Sequence, residues 1–198
     1  FELDDEHEAA PAAIYSAAQF RYALGDWQQA IENYKEYMAT YPDRENSAQI
    51  PLTIARIYEE NDQWREAGRV YYAFFNQRDT SELEPDQLMF ARLHYAVSLR
   101  EQGQQNAYLR SFQENMDWYS ESLEDGAVFE IGKDFAGQMM YTLLDDQYNE
   151  FLALEISGPS GRVSRRQEDR IVKDQFDAKA RAITTAIQTL DAEFVLLQ

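Results

Sequence analysis

The amino-acid sequence predicts an all-α protein: about four antiparallel helix pairs stacked as an α-solenoid and followed by a long C-terminal helix. The first observation is a segment that recurs after 37 residues. Its two copies carry, in order, Trp27, Ala30 and Tyr34, and then Trp64, Ala67 and Tyr71. A period of this length is the sequence pattern of stacked helix pairs. The second observation is that apolar residues recur at helical spacing between turn residues.

Each of the first two copies predicts a helix, a short turn and a second helix. The helices are expected at 11–24 and 27–41 in the first copy, and at 48–60 and 63–76 in the second. Ala18 aligns with Ala55, as Ala30 does with Ala67, so small residues recur at the points where two helices would cross. Two helices approach closely only where no bulky side chain separates them. The alanines are therefore predicted to be buried at the crossings.

These residues resemble the tetratricopeptide repeat. The resemblance consists of the aromatic residue before the second helix, the central alanine, the aromatic residue four positions later and, in the first copy, Pro42. Residues 11–76 carry it. It implies that the first helices of successive pairs line a concave groove, and that the protein binds a partner and does not catalyse a reaction.

A third pair is predicted at 85–102 and 104–120. In this alignment Ala96 corresponds to Ala18 and Gly103 to Gly25, and Ala107 corresponds to Ala30 after a deletion of one residue.

The rest of the chain predicts a fourth pair and a terminal helix. The pair is expected at 126–144 and 145–156, and the Ser-Gly-Pro-Ser-Gly run at 157–161 is the clearest break in the sequence. We therefore predict two parts: a repeat array at 1–157 and a long helix at 162–198. This helix would pack on the array or continue it.

Charge and composition exclude several classes of function. The chain has 18 Lys+Arg against 36 Asp+Glu, a net charge of −18, which repels nucleic-acid phosphates. The same charge fits either a basic protein partner or solubility alone. The chain has no cysteine, so it has neither disulfides nor thiolate metal sites. No apolar run is long enough for a transmembrane segment. The first residue is Phe1 and the last residues are apolar, so both ends are expected to be cut from a longer protein.

No pattern of catalytic, cofactor-binding or metal-ligating residues is found. The two histidines, His7 and His94, lack the glutamate spacing of a helical metal motif. His94 is predicted to be a hydrogen-bonded packing residue. No nucleophile triad or glycine-rich phosphate loop occurs. We therefore predict no enzyme activity, no cofactor and no metal site.

The resemblance assigns a set of side chains to the groove that would bind a peptide or a helix of a partner. These residues are Tyr15, Gln19, Tyr22, Gln49, Leu52, Arg56, Glu59, Phe90, Leu93, Val97 and Arg100. Two alternatives remain: several of them pack the next repeat, or the array is a structural spacer or self-assembly segment that binds nothing in its groove. The acidic, tyrosine-rich composition is similar to that of bacterial cell-envelope repeat proteins, so that location, periplasmic or associated with the outer membrane, is expected over the cytoplasm. The oligomeric state is left open.

Overall fold

The computed structural model describes residues 9–78, 80, 83–154 and 164–194, without the side chains of residues 45, 143, 146, 147, 150 and 186–194. All regular structure within these ranges is helical, which confirms the predicted fold class. The α-helices are α1 Ala10–Ala23, α2 Trp27–Thr40, α3 Ile50–Glu60, α4 Trp64–Phe75, α5 Pro85–Glu101, α6 Gln105–Glu124, α7 Gly132–Ala153 and α8 Arg165–Phe194. A short 3-10 helix, Glu45–Ala48, precedes α3. The chain divides into two compact units, Phe1–Asp117 and Trp118–Gln198.

The alanines that the repeat places at helix crossings are fully buried. Ala18, Ala30, Ala55 and Ala67 each have 0% exposure. Helix α1 packs against α2, α3 packs against α4, and α4 packs against α5. Because a methyl group is all that separates the backbones at these positions, the paired helices approach closely. The predicted role of the alanines is confirmed.

Aromatic rings fill the space beside these crossings. Tyr34 and Tyr37 of α2 are 3% and 4% exposed. The ring of Tyr15 lies 5.8 Å from that of Tyr34 and 5.4 Å from that of Tyr37, measured between centroids. Their counterparts in α4, Tyr71 and Phe74, are 0% and 5% exposed. The predicted aromatic core is therefore present in both pairs.

The same backbone turn precedes the second helix in three successive pairs. Gly25, Asp62 and Gly103 have positive φ angles of 82°, 56° and 72°. This left-handed conformation favours glycine, which has no Cβ to clash with the backbone. Each turn ends its first helix and starts the second two residues later.

The conserved position of this turn corrects the alignment of the third pair. Helix α6 begins at Gln105, which lies 78 residues after Trp27, and Gly103 lies 78 residues after Gly25. The counterpart of Ala30 is therefore Tyr108, which is 2% exposed. The predicted one-residue deletion, which placed Ala107 at this position, is wrong. Residue identity suggested it, but the turn determines where the helix starts.

The predicted boundary within the fourth pair is also wrong. Helix α7 runs without interruption through residues 144 and 145, and residues 127–131 are not helical. No glycine or proline occurs between residues 138 and 153, so nothing in this stretch ends a helix. Within the second unit α7 packs against α8, which confirms a long C-terminal helix. The predicted break at 157–161 lies outside the described residues, and the division at 1–157 and 162–198 stays a prediction.

Gly68 permits the close contact between α4 and α5. A Cβ atom added at Gly68 would overlap the Oγ atom of Ser98 and lie 3.3 Å from its Cβ atom. Ser98 is 1% exposed, and its hydroxyl donates a hydrogen bond of 2.7 Å to the carbonyl oxygen of Tyr95. The serine side chain therefore has little room to move away.

Replacing Gly68 with alanine is expected to lower the free energy of unfolding by about 1–3 kcal/mol, because the methyl group overpacks the α4–α5 contact. Adding Ser98→Ala removes the overlapping oxygen, so the double variant should recover part of this loss. Urea unfolding followed by circular dichroism measures both effects. Gly137→Ala is the control, since its Cβ would meet nothing within 4 Å. A Gly68→Ala variant as stable as the parent chain would contradict this account of the contact.

Candidate partner-binding surface

Side chains link the first helices of neighbouring pairs. The hydroxyl of Tyr22 in α1 donates a hydrogen bond to Glu60 in α3. Arg56 lies one turn before Glu60, at 3.9 Å between nitrogen and oxygen. Glu59 in turn reaches His94 in α5. Side chains of α3 therefore contact both α1 and α5 in the first unit.

A polar cluster joins α3, α4 and α5. The hydroxyl of Tyr71 donates a hydrogen bond of 2.7 Å to Oε2 of Glu59. Nδ1 of His94 lies 3.0 Å and 2.9 Å from the two carboxylate oxygens of Glu59. The imidazole packs against Phe90, with 4.1 Å between ring centroids and 34° between the ring planes, and lies 5.4 Å from the ring of Tyr71. The prediction that His94 is a hydrogen-bonded packing residue is confirmed.

The side chains assigned to the groove differ in how accessible they are. Leu93 is only 3% exposed and belongs to the core, so a partner on the surface does not reach it. The carboxylate of Glu59 is hydrogen-bonded to Tyr71 of α4 and His94 of α5. The half-buried residues are Tyr15, Tyr22, Leu52, Glu59, Phe90, Val97 and Arg100. The exposed residues are Gln19, Gln49 and Arg56. Several of the set thus pack neighbouring helices, and binding by the others stays a prediction.

Comparison with known families identifies part of the first unit. Residues 12–44 match the family model described as tetratricopeptide repeat. They form a tetratricopeptide repeat. The matched segment includes most of α1 and all of α2, and ends beyond Pro42. No curated protein sequence matches the chain. Tetratricopeptide repeats serve in general as protein-interaction scaffolds and are generally noncatalytic.

The second helix pair repeats the geometry of this tetratricopeptide repeat. Helices α3 and α4 have their own buried alanines, left-handed turn and buried aromatic residues at the equivalent positions. The sequence reasoning missed Glu60, which binds Tyr22 and faces Arg56. The spacing of Arg56 and Glu60, four residues apart on one helix, is the signal that could have found this pair.

Two further properties concern the described part of the chain alone. There, no three His, Cys, Asp or Glu side chains are grouped as a metal ion would require. None of the helices described combines the length and apolar character needed to cross a membrane.

The cluster next to the tetratricopeptide repeat shifts the pKa values of Glu59 and Tyr71. Burial of Glu59 disfavours its charge, but the hydrogen bond and electrostatic attraction of His94 oppose burial, as does the hydrogen bond from Tyr71. Arg56 acts in the same direction, and the net result is that the pKa of Glu59 lies below its ordinary value. Burial, followed by the hydrogen bond and charge of Glu59, raises the pKa of Tyr71.

The lowered pKa of Glu59 predicts a contribution to stability that depends on pH. As the pH falls below about 4.5, the unfolded chain binds a proton at Glu59 before the folded chain does. The contribution is therefore complete above this pH and is lost as the pH falls through the folded value. Glu59→Gln should lower the free energy of unfolding by about 1–2 kcal/mol at pH 7 and by less in acid. Urea unfolding at a series of pH values measures the difference.

Glu36→Gln is the matched control for Glu59→Gln, because Glu36 is exposed on α2. This variant should follow the parent chain at every pH. If the two variants change stability to the same extent, the cluster around Glu59 has no special role in holding the three helices together.

Proposed function

We propose that the face formed by α1, α3 and α5 binds an extended peptide or a helix of a protein partner. The chain would then act as a noncatalytic interaction scaffold. The observation that carries this proposal is the tetratricopeptide repeat at residues 12–44, followed by a helix pair of the same construction. The side-chain links among the three first helices support it, because they keep these helices side by side.

The accessible side chains of this face suit a peptide. Gln19 and Gln49 carry exposed amides, which both donate and accept hydrogen bonds, as a peptide backbone requires. The side chain of Arg56 is 62% exposed, and its contact with Glu60 at 3.9 Å is a loose ion pair. Exposed pairs of this kind contribute little stability. Arg56 therefore exchanges Glu60 for a carboxylate of the partner at little cost.

The polar cluster supports a scaffold over a reaction centre. The carboxylate of Glu59 accepts hydrogen bonds from side chains of α4 and α5, and the imidazole of His94 packs against the ring of Phe90. These groups hold neighbouring helices together. The net charge of −18 favours a protein over a nucleic acid as the partner. The envelope location expected from composition stays a prediction.

A binding experiment tests the groove directly. Peptides of 12 random residues displayed on phage are selected on the full 198-residue chain, and the selected sequences are synthesised. The double variant Tyr22→Ala with Arg56→Ala should bind them at least tenfold more weakly, because it removes an aromatic contact and the exposed guanidinium. Fluorescence anisotropy gives the affinities, and circular dichroism checks that helicity is kept.

The control for the groove experiment is Lys35→Ala with Arg65→Ala, on the second helices α2 and α4. Both side chains are exposed, so this variant should keep the parent affinity. If no peptide is enriched over an empty support, or if the groove variant binds as well as its control, the scaffold proposal fails. The structural-spacer alternative would then account better for the array.

A further inference from the structure

A cavity of about 250 Å³ lies among α4, α5 and α6 of the first unit. Its walls combine aromatic rings with charged and polar side chains, and the residues that line it differ from those assigned to the groove. Sites for drug-sized ligands occupy roughly 300–1,000 Å³. The cavity therefore fits a smaller ligand, with a single ring.

Three aromatic rings form one wall of the cavity. The rings of Tyr72 and Phe75 in α4 lie 5.4 Å apart, measured between centroids. The ring of Tyr95 in α5 lies 5.2 Å from that of Tyr72 and 5.5 Å from that of Phe75. Tyr72 is 45% exposed, so a ligand can reach this wall. A second aromatic group packs favourably against such rings, edge to face or offset.

Arg92 of α5 brings a positive charge into the cavity. Its guanidinium lies over the ring of Phe75, 4.7 Å from the centroid, and its Nη1 atom donates a hydrogen bond of 3.4 Å to Oδ1 of Asn115 in α6. Asn115 is 2% exposed, and its amide donates a hydrogen bond of 3.0 Å to the carbonyl oxygen of Arg92. The guanidinium is therefore held in place from two sides before any ligand binds.

The charges around the cavity favour an anion. Burial lowers the pKa of Arg92 to about 10, although the negative charge of Glu114 in α6 acts in the opposite direction. The guanidinium has thus lost hydration that this carboxylate does not fully replace. Arg110 of α6 also lines the cavity and is exposed. Two arginines and one glutamate among the described lining residues give a charge of +1, in a chain whose net charge is −18.

The second helix pair has a cavity at the equivalent place, but with different chemistry. The left-handed turns at Asp62 and Gly103 are 41 residues apart. With this spacing, five residues of the α4–α5–α6 cavity correspond to five that line the other cavity: Arg92, Arg110, Ser111, Glu114 and Asn115 to Pro51, Arg69, Val70, Ala73 and Phe74.

This comparison separates packing from binding. Stacking of helix pairs leaves a cavity in both places, and the second pair lines it with proline, valine, alanine and phenylalanine where the third pair has charged and polar side chains. Packing of the repeat therefore does not require a half-buried arginine at position 92. Because burial of a charge costs free energy, its presence there points to a ligand.

We propose that the α4–α5–α6 cavity binds a group that joins one aromatic ring to a carboxylate. The ring packs against Tyr72 and Phe75, and the carboxylate faces Arg92 and Arg110. A guanidinium matches a carboxylate with two parallel hydrogen bonds. A free aromatic acid and a C-terminal phenylalanine of a protein both carry such a group. The site goes beyond the proposed groove and does not depend on it.

The probe is hydrocinnamate, a phenyl ring joined to a carboxylate by two methylene groups. Titration of the full chain, followed by saturation-transfer NMR, should give a Kd of about 1 mM or tighter, as expected for a ligand of this size. Hydrocinnamamide, which keeps the ring but has no charge, should bind about tenfold more weakly, because it loses the charged hydrogen bonds. Propionate, which has the charge but no ring, should also bind more weakly.

A peptide separates the two sources of the ligand. N-acetyl-Gly-Gly-Phe carries the same ring and carboxylate at a chain end. Tighter binding of this peptide than of hydrocinnamate would assign the cavity to a protein C-terminus, and weaker binding would assign it to a free acid.

Substitutions test the role of each charge. Arg92→Met removes the cation and keeps an unbranched side chain against Phe75, so it should weaken binding of hydrocinnamate about tenfold or more. Arg69→Met is the matched control, because Arg69 lines the cavity of the second pair, and it should leave the affinity within about twofold. Glu114→Gln should raise the affinity, since it removes a negative charge that repels the carboxylate. If Arg92 served only to join α4, α5 and α6, this increase would not occur.

Circular dichroism checks that each variant is folded. If Arg92→Met does not fold, Arg110→Met and Glu114→Gln still decide the question, because both change exposed side chains and should shift the affinity in opposite directions. The proposal is overturned if neither hydrocinnamate nor the peptide saturates the chain at concentrations tenfold above the expected Kd. It is also overturned if the amide binds as tightly as the acid, or if Arg92→Met and Arg69→Met have equal effects.

Discussion

Close approach of helix backbones is the constraint on which the first unit depends. Ala18 and Ala30 are fully buried between α1 and α2, and Ala55 and Ala67 are fully buried at the same positions of the next pair. Gly68 extends this principle to the contact between α4 and α5, where even a methyl group has no room. Larger residues at these positions would separate the helices and open voids around the tyrosines. The small residues thus determine where the helices cross, and the aromatic residues fill the space that remains.

Apolar packing of this kind still allows one helix to slide along another. The polar cluster does not allow this, because its hydrogen bonds need specific partner atoms. Glu59 accepts hydrogen bonds from Tyr71 and His94, which lie on two other helices. A half-buried carboxylate without these partners would be costly, because it has lost part of its hydration. The cluster therefore favours one arrangement of α3, α4 and α5 over its neighbours in register. In a scaffold this matters, since the accessible side chains must keep their spacing along the face that meets the partner.

Much of the fold follows from sequence pattern, and the exceptions have identifiable causes. The alanine crossings and the aromatic core were predictable because the period of 37 residues repeats both the residue types and their positions. The register within α6 was not, because the alanine of the first two copies is replaced by Tyr108 and residue identity pointed to Ala107. Only the left-handed turn at Gly103 preserves the true spacing. Likewise the predicted boundary between residues 144 and 145 was wrong, because no residue there ends a helix and α7 continues to Ala153.

The groove was less predictable than the fold, because exposure depends on neighbours that are distant in sequence. The resemblance assigned Glu59, Leu93 and Arg56 to one groove. Burial of Leu93 and the bonding of Glu59 depend on α4 and α5, which the spacing within one helix does not report. The link between Tyr22 and Glu60 joins residues 38 positions apart.

The turn of the second helix pair differs from the other two, because Asp62 stands where they have glycine. Its φ angle of 56° belongs to a region where glycine rests without strain, as Gly25 and Gly103 do in the other two hairpins. A residue with a Cβ atom pays roughly 1–2 kcal/mol for this conformation, and aspartate is among those that tolerate it best. The turn between α3 and α4 consequently has more backbone strain than the turns between α1 and α2 and between α5 and α6. Position 62 should therefore accept glycine or asparagine freely, whereas β-branched residues there would work against closure of the α3–α4 pair.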